Sequence, residues 1–317
     1  LDRLEHEFIE KLLKTLKPGE NVVFTDLGTG IINDFSDYKK SSIYIMDHHQ
    51  LPAENLEIPS NIHLLNPHLY DIDGSTEISG AGVVYLAFSS TFNKLKFLSP
   101  LAVIGALGDR QDQGLHGKLI GLNERIVADA KQLNLLSDDI QPWFYDRSRP
   151  IVDILKNQKI PSLSRDYDVI HFLEANEVPY HVDGKKRSFY SLTKEEQQKL
   201  ISSLIQEFGI SASDLIKHDY RLKGYLGKFE IDARVFATKL NSCGRLKRPD
   251  IGISLCVGDY DSILKEYYEI QKEYKRLISN GLKLTNNSDV LRELSGLYVL
   301  DGDNKIEEQL IGTITSI

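Results

Sequence analysis

Apolar residues along the chain follow two different periods. Leu4, Phe8, Leu12 and Leu16, with Ile9 and Leu13 beside them, recur at helical spacing until Pro18-Gly19 interrupts, which predicts an amphipathic helix over residues 2–17. Two short β-branched runs follow, NVVFTDL at 21–27 and SIYIMD at 42–47, each bounded by Gly, Asn or polar residues as buried strands of a parallel sheet are. Each of them carries an aspartate at its carboxyl end, Asp26 and Asp47. Ligands of open α/β sheets sit beyond the carboxyl ends of the strands, so both fall where chemistry is normally placed. The pattern then turns helical over 78–88, 99–107 and 119–136, predicting an α/β fold with a parallel sheet flanked by helices.

The rest of the chain is less even. Residues 137–190 are mixed and punctuated by Pro142, Pro150, Pro161 and Pro179, and no fold is read for them. Thr193-Lys-Glu-Glu196 forms a capping box ahead of Leu200, Ile201, Leu204, Ile205 and Phe208, a helix ending at Gly209. From Asp261 to Leu284, the residues Ile263, Tyr267, Ile270, Tyr274 and Leu277 keep a helical seam in a charged background, as a long connecting helix would. After it the chain begins strand-like, as the start of a second α/β domain over 286–317.

Composition narrows the classes. The 317 residues suggest two domains, each able to bury its own core. Lys and Arg number 38 against 46 Asp and Glu, a net charge of −8 that argues against coating nucleic acid by bulk basic charge but leaves a local basic groove open. Cys243 and Cys256 form no Cys-x-x-Cys pair, which fits a reducing, cytoplasmic setting and core thiols. No apolar run approaches the roughly 18 residues of a membrane span, and the charged opening is no signal peptide. Met46 is the sole methionine, so Leu1 is expected not to be a translation start and the chain to be a piece of a longer one.

Candidate chemistry concentrates at Asp47-His48-His49. A carboxylate with two imidazoles suits Mn, Fe or Zn, and Mg with waters. Neighbouring side chains on an extended strand point to opposite faces, so these residues are expected to divide into one ligand, one supporting group and one substrate contact. Asp26, in TDLGTG, ends the neighbouring strand with Gly28 and Gly30 permitting a close turn, and Asp109 closes GALGDRQDQG in a glycine-rich turn that also carries Asp112. DLGTGIIN lacks the third glycine of a dinucleotide fingerprint, and no Gly-Lys-Ser/Thr loop occurs. Ser79-Gly80-Ala81-Gly82 reads as close helix–sheet packing in preference to an anion site, and His68 and His116 as near the site in sequence only.

TDLGTG, IMDHHQ, NPHLYDIDGSTEISGAGVVYLAF and IGALGDRQDQG occur in the order and approximate spacing of the DHH phosphoesterase superfamily. The chain resembles in particular its archaeal RecJ-like, GINS-associated nucleases, and ARVFATKLNSCGRLKRPDIGISLCVGD resembles their Asn-Ala-Cys-Gly-Arg segment. The resemblance implies a DHH domain over 1–258 with a helical insertion at about 137–230, a connecting helix over 259–285, and the start of a DHH-associated domain over 286–317. It implies Asp26 as a metal bridge, His48 and Asp109 as metal ligands, Asp47 as orienting a ligand and His49 as contacting the scissile phosphate. Arg245 would hold a substrate phosphate, with Asn241 and Gly244 shaping a turn there and Arg248 beside it; a guanidinium fork suits that task.

The activity implied is a two-metal phosphodiesterase using Mn or Mg, a single-strand-specific 5′→3′ exonuclease on DNA in replication or repair, with RNA left open. The family's first motif, His-x-Asp-x-Asp-Gly on an earlier strand, has no counterpart upstream of Asp26, and Asp71-Ile72-Asp73-Gly74 comes too late in the chain to replace it. Two alternatives therefore stand beside the nuclease: a non-catalytic replication scaffold that binds GINS, the replicative helicase and single-stranded nucleic acid, and a hydrolase of short oligonucleotides or cyclic dinucleotides.

Overall fold

β1 (Val22–Thr25), β2 (Ile43–Met46) and β3 (Ile62–Leu65) form a parallel sheet in that order, with Val22 opposite Ile43 and Ile43 opposite Ile62. This computed structural model describes residues 6–316 apart from 18, 36–37, 39–41, 54–55, 143, 145–148, 159, 225–229, 288–289 and 304, with only the backbone described at 6–8, 10 and 213. β1 and β2 are the two runs expected from the β-branched pattern. The third strand, IHLL, is as long as the other two but has a single β-branched residue and does not announce itself.

Helices flank the sheet. Ile9, Leu12 and Leu13 of α1 (His6–Thr15) pack with Phe24, Phe35, Ile43, Ile45 and Ile62; residues 2–5 of the expected helix lie outside the described residues. α2 (Gly80–Ser89) packs on β1 and β2, α3 (Ser99–Gly108) on α2, and α4 (Leu122–Gln132) on α3. The parallel, helix-flanked α/β architecture is thus the expected one. α3 starts at Ser99 as the pattern suggests, with Pro100 in its first turn, whereas α2 and α4 start later, at Gly80 and after the cap Gly121.

Residues 136–232 are only partly helical. β4 (Leu136–Pro142) precedes α5 (Ile151–Lys156), α6 (Asp166–Ala175), the small hairpin β5 (His181–Val182) and β6 (Lys185–Lys186), α7 (Lys194–Phe208) and α8 (Ala212–Leu215). β7 (Ile216–Lys223) then returns antiparallel beside β4, Leu222 facing Leu136 and Ile216 facing Pro142, and β8 (Glu230–Asp232) pairs with β7. The helices enclose their own core of Ile151, Leu155, Leu173, Leu200 and Leu204. The capping box forms as read: Thr193 accepts from the Glu196 amide, the Glu196 carboxylate accepts from the Thr193 amide, and Gly209 closes α7 at φ 65°.

The chain divides into two compact units, Leu1–Lys223 with Glu230–Val235, and Gly224–Phe229 with Phe236–Ile317. That division lies ahead of residue 258, the expected end of the first domain. α9 (Ala233–Arg245) runs across it and is followed by α10 (Pro249–Val257), the long α11 (Tyr260–Leu284), the hairpin β9 (Leu291–Leu294) and β10 (Leu297–Leu300), and α12 (Glu308–Thr315). In the second unit, Tyr274, Leu277 and Ile278 of α11 pack with Val290, Ile306, Leu310 and Ile314. Gly281 lets α12 come close, because a methyl group there would stand 2.3 Å from Ile314 Cδ1. Among the described residues no helix is long and apolar enough to cross a membrane.

One local expectation is corrected. Asn241 and Gly244 shape no turn; both lie inside α9, where the run from Ala233 holds no proline and Gly244 keeps a right-handed backbone. The chain turns at Lys247 (φ 57°), and Pro249 then starts α10.

Ile45 sits at the centre of β2 with no exposure. Ile45→Ala should lower the unfolding free energy by about 2–5 kcal/mol, read as a lower midpoint in urea denaturation at an unchanged slope.

Candidate metal centre

Three strand ends meet at a buried polar knot. Asp47 follows β2 and is 1% exposed: its Oδ2 accepts from the Thr29 amide at 3.0 Å, and its Oδ1 accepts from the His48 amide at 2.8 Å and from His49 Nδ1 at 2.7 Å. Burial works to raise the Asp47 pKa, but the hydrogen bonds from His49 and Thr29 outweigh it and hold the carboxyl below its usual range. Asn66, fully buried after β3, donates to Thr29 Oγ1 at 3.1 Å and to the His49 carbonyl at 2.9 Å, and accepts from the His68 amide at 3.0 Å. The turn after β1 and the ends of β2 and β3 are thereby fixed to one another.

From this knot the His48 ring projects between two carboxylates. Its Nδ1 donates to the Gly74 carbonyl at 2.6 Å, and its Nε2 lies 3.2 Å from Asp26 Oδ1 and 3.7 Å from Asp109 Oδ2. Burial pulls the His48 pKa down, yet the hydrogen bonds to Asp26 and Gly74 and the charges of Asp109 and Asp26 prevail and raise it to about 9. Asp109 caps the carboxyl end of α3, and burial, followed by the Asp26 charge, pushes its pKa up. His49 is 62% exposed, its ring 4.6 Å from that of His48. Asp26, His48 and His49 each offer a ligand atom, all within 4.8 Å of one another.

The local sequence explains the placement. Asp26 takes a left-handed backbone (φ 64°), which turns its carboxylate out of β1. Gly80, the first residue of α2, presses against it: a β-carbon there would lie 2.1 Å from Asp26 Oδ1. The close-packing reading of Ser79–Gly82 is therefore the right one, with Gly82 against Ile126. Gly74 is equally constrained, since a β-carbon would lie 1.9 Å from the His48 carbonyl oxygen. The loop bearing Asp109 is clamped further along by Arg234, which donates to Asp112 Oδ2 at 2.8 Å, the His218 carbonyl at 2.7 Å and the Gly117 carbonyl at 3.0 Å.

The donor set fits a divalent cation. Two carboxylates face an imidazole whose far nitrogen is fixed as a donor, so that the near nitrogen can present its lone pair. Without a cation the two acidic groups repel each other and His48 carries a proton between them.

The expected site residues divide between the two units. Asp26, Asp47, His48, His49 and Asp109 come together in the first. Asn241, Gly244, Arg245 and Arg248 lie in the second, where Arg245 donates to the Gln309 carbonyl at 2.6 Å and Arg248 is held by Asp250 at 2.8 Å and Glu266 at 2.6 Å. His68 is nearer than its sequence position suggests: its ring stands against Gly74, and its buried Nε2 has no hydrogen-bond partner among the described residues. Sequence reasoning misses Thr29, which opens a short helical turn, and the loop residues Asn66 and Gly74; Asn66-Pro67 ahead of a short helical turn is the available signal.

No family model matches the chain. It is 31% identical over 327 residues to the uncharacterized protein MJ0831 of Methanocaldococcus jannaschii, an alignment that takes in all of this chain and 68% of the relative. The chain belongs to the MJ0831 family. Among solved structures, CDC45 from Entamoeba histolytica aligns with a TM-score of 0.61 at 16% identity, over 88% of this chain and 63% of its own. RecJ in complex with Mn2+ from Thermus thermophilus aligns at 15% identity and a TM-score of 0.46, over 90% of this chain and 32% of its own. This chain thus spans less than two thirds of the CDC45 chain. The likeness to CDC45 shows a shared fold.

Two outcomes follow for this site. Gly80→Ala places a methyl group against Asp26 and should weaken Mn2+ binding by roughly tenfold with circular dichroism unchanged; equal affinity would show that Asp26 yields freely. In chelator-treated protein the His48 ring should titrate near pH 9. Because its folded pKa is raised above the free value of 6.5, its stabilising contribution is fully present below pH 6.5 and is lost as pH rises through about 9. Histidine NMR and urea unfolding at pH 6 and pH 9.5 would check both statements.

Proposed function

We propose that this protein is a metal-dependent phosphodiesterase that acts on single-stranded nucleic acid, releasing nucleotides in the 5′→3′ direction with Mn2+ or Mg2+. The observation that carries this reading is His48 Nε2 facing Asp26 and Asp109 beyond the carboxyl ends of parallel strands. When bound, a divalent ion supplies Lewis-acid stabilisation of charge on the phosphoryl oxygens.

The side chains take separate tasks. Asp26, His48 and Asp109 hold the cation. Asp47 keeps the His49 ring upright through the Nδ1 hydrogen bond, which leaves the exposed Nε2 edge of His49 to meet a phosphate oxygen. Arg245 is the candidate to hold a substrate phosphate, whereas Arg248 is already neutralised by two carboxylates. DNA is the expected strand, RNA the second substrate to test.

A second reading is favoured by the size of the donor set. Among the described residues a single group of imidazoles and carboxylates is placed to hold a metal ion, and it suits one ion better than two. In this reading the protein is a replication scaffold that binds single-stranded nucleic acid, GINS and the replicative helicase without cutting.

The two separate in one assay, with 5′-labelled single-stranded DNA or RNA incubated with Mn2+, Mg2+ or chelator. Nucleotide release that needs Mn2+ or Mg2+, and that falls at least about 100-fold in a folded Asp109→Ala variant, is expected. Strand binding without release in every metal would overturn the nuclease and favour the scaffold.

A further inference from the structure

Gln111 lies two residues beyond Asp109 and is fully buried. Its Nε2 donates to the Gly74 carbonyl at 2.8 Å and to the Ile78 carbonyl at 3.1 Å, while its Oε1 accepts from Asn123 Nδ2 at 2.7 Å. The amide cannot be turned over. Reversed, it would set an oxygen against two carbonyl oxygens and one NH2 against another. Asn123 is equally committed: it is 1% exposed, its own amide donates to the Glu77 carbonyl at 2.9 Å, and its Oδ1 is left with no partner among the described residues. An orphaned buried acceptor is tolerated where the orientation it enforces is needed elsewhere.

That need is at Gly74. Its carbonyl oxygen has two lone pairs, and both are taken, one by Gln111 Nε2 and the other by His48 Nδ1. The carbonyl sits in a loop with little regular structure around it, so its direction depends on the donors that reach it. Gln111 supplies the one that comes from outside the site. Asn123, Gln111 and Gly74 thus form a relay from the first turn of α4 to the imidazole between Asp26 and Asp109.

We infer that Gln111 is a positioning residue for His48, holding the Gly74 carbonyl so that Nδ1 keeps its hydrogen and Nε2 is presented to the cation. The functional part of this inference rests on the proposed reading of Asp26, His48 and Asp109 as metal ligands; the hydrogen-bond part does not. Gln111→Met keeps the length and apolar bulk of the side chain and removes both polar ends. It leaves every proposed ligand in place.

The test uses the full chain labelled with 15N-histidine, with His48→Gln to identify the His48 signals. The His48 Nδ1–H resonance should be protected from exchange in the native protein, and in Gln111→Met it should exchange at least tenfold faster. Mn2+ affinity, followed by electron paramagnetic resonance, should fall about 10- to 100-fold, as for loss of a group that orients a ligand. Asn123→Ala, which keeps Gln111 but frees its far end, should give a smaller loss in both readouts and serves if Gln111→Met does not fold. Variants that melt earlier yet keep native exchange and native Mn2+ affinity would overturn the inference. If native protein takes up no Mn2+ while the exchange difference persists, the metal reading falls and the positioning role stands.

Discussion

The hydrogen bond from His48 Nδ1 to the Gly74 carbonyl orders everything around it. An imidazole has two nitrogens of opposite capability, and the partner of one dictates what the other can do. With Nδ1 committed to a carbonyl, which can only accept, Nε2 is left to face Asp26 and Asp109. The glycine is part of the same constraint, because any side chain at position 74 would collide with the His48 backbone. Position and protonation are thereby set by a loop that carries no ligand itself.

Around that bond the charges are arranged in tension. Two partly exposed carboxylates share one imidazole: their hydrogen bond and charges raise the His48 pKa, while burial, followed by the Asp26 charge, raises that of Asp109. Asp47 escapes because backbone amides and His49 saturate it. A buried carboxylate that ties loops together and an open pair of like charge are therefore built into one corner of the sheet. A cation is the simplest species that satisfies the open pair without adding bulk.

Much of this is legible in the sequence where a residue type has only one common use. The β-branched runs ending in Asp26 and Asp47 mark the sheet and its chemical edge, and Thr193-Lys-Glu-Glu196 with Gly209 marks both ends of α7. What stays hidden depends on contacts distant in the chain. The segment LSDDIQP is left without a reading because its partner, IKHDYRLK, lies some 75 positions on; a half-polar strand has no period strong enough to show alone. The resemblance implies a turn at NSCGR, but α9 continues through it to Arg245 and Lys247 makes the turn instead. Gln111 gives no signal because a buried amide acts through geometry, which sequence does not display.

The β4–β7 ladder has one more consequence. Leu136 and Leu222 are direct neighbours, so the chain departs after α4 and comes back to the same spot. Everything between those two residues hangs from a closed stem with its own hydrophobic interior. Such an arrangement is modular: in descent, a lineage could lengthen, trim or exchange the pendant helices while the stem stays shut and the ligands stay where they are.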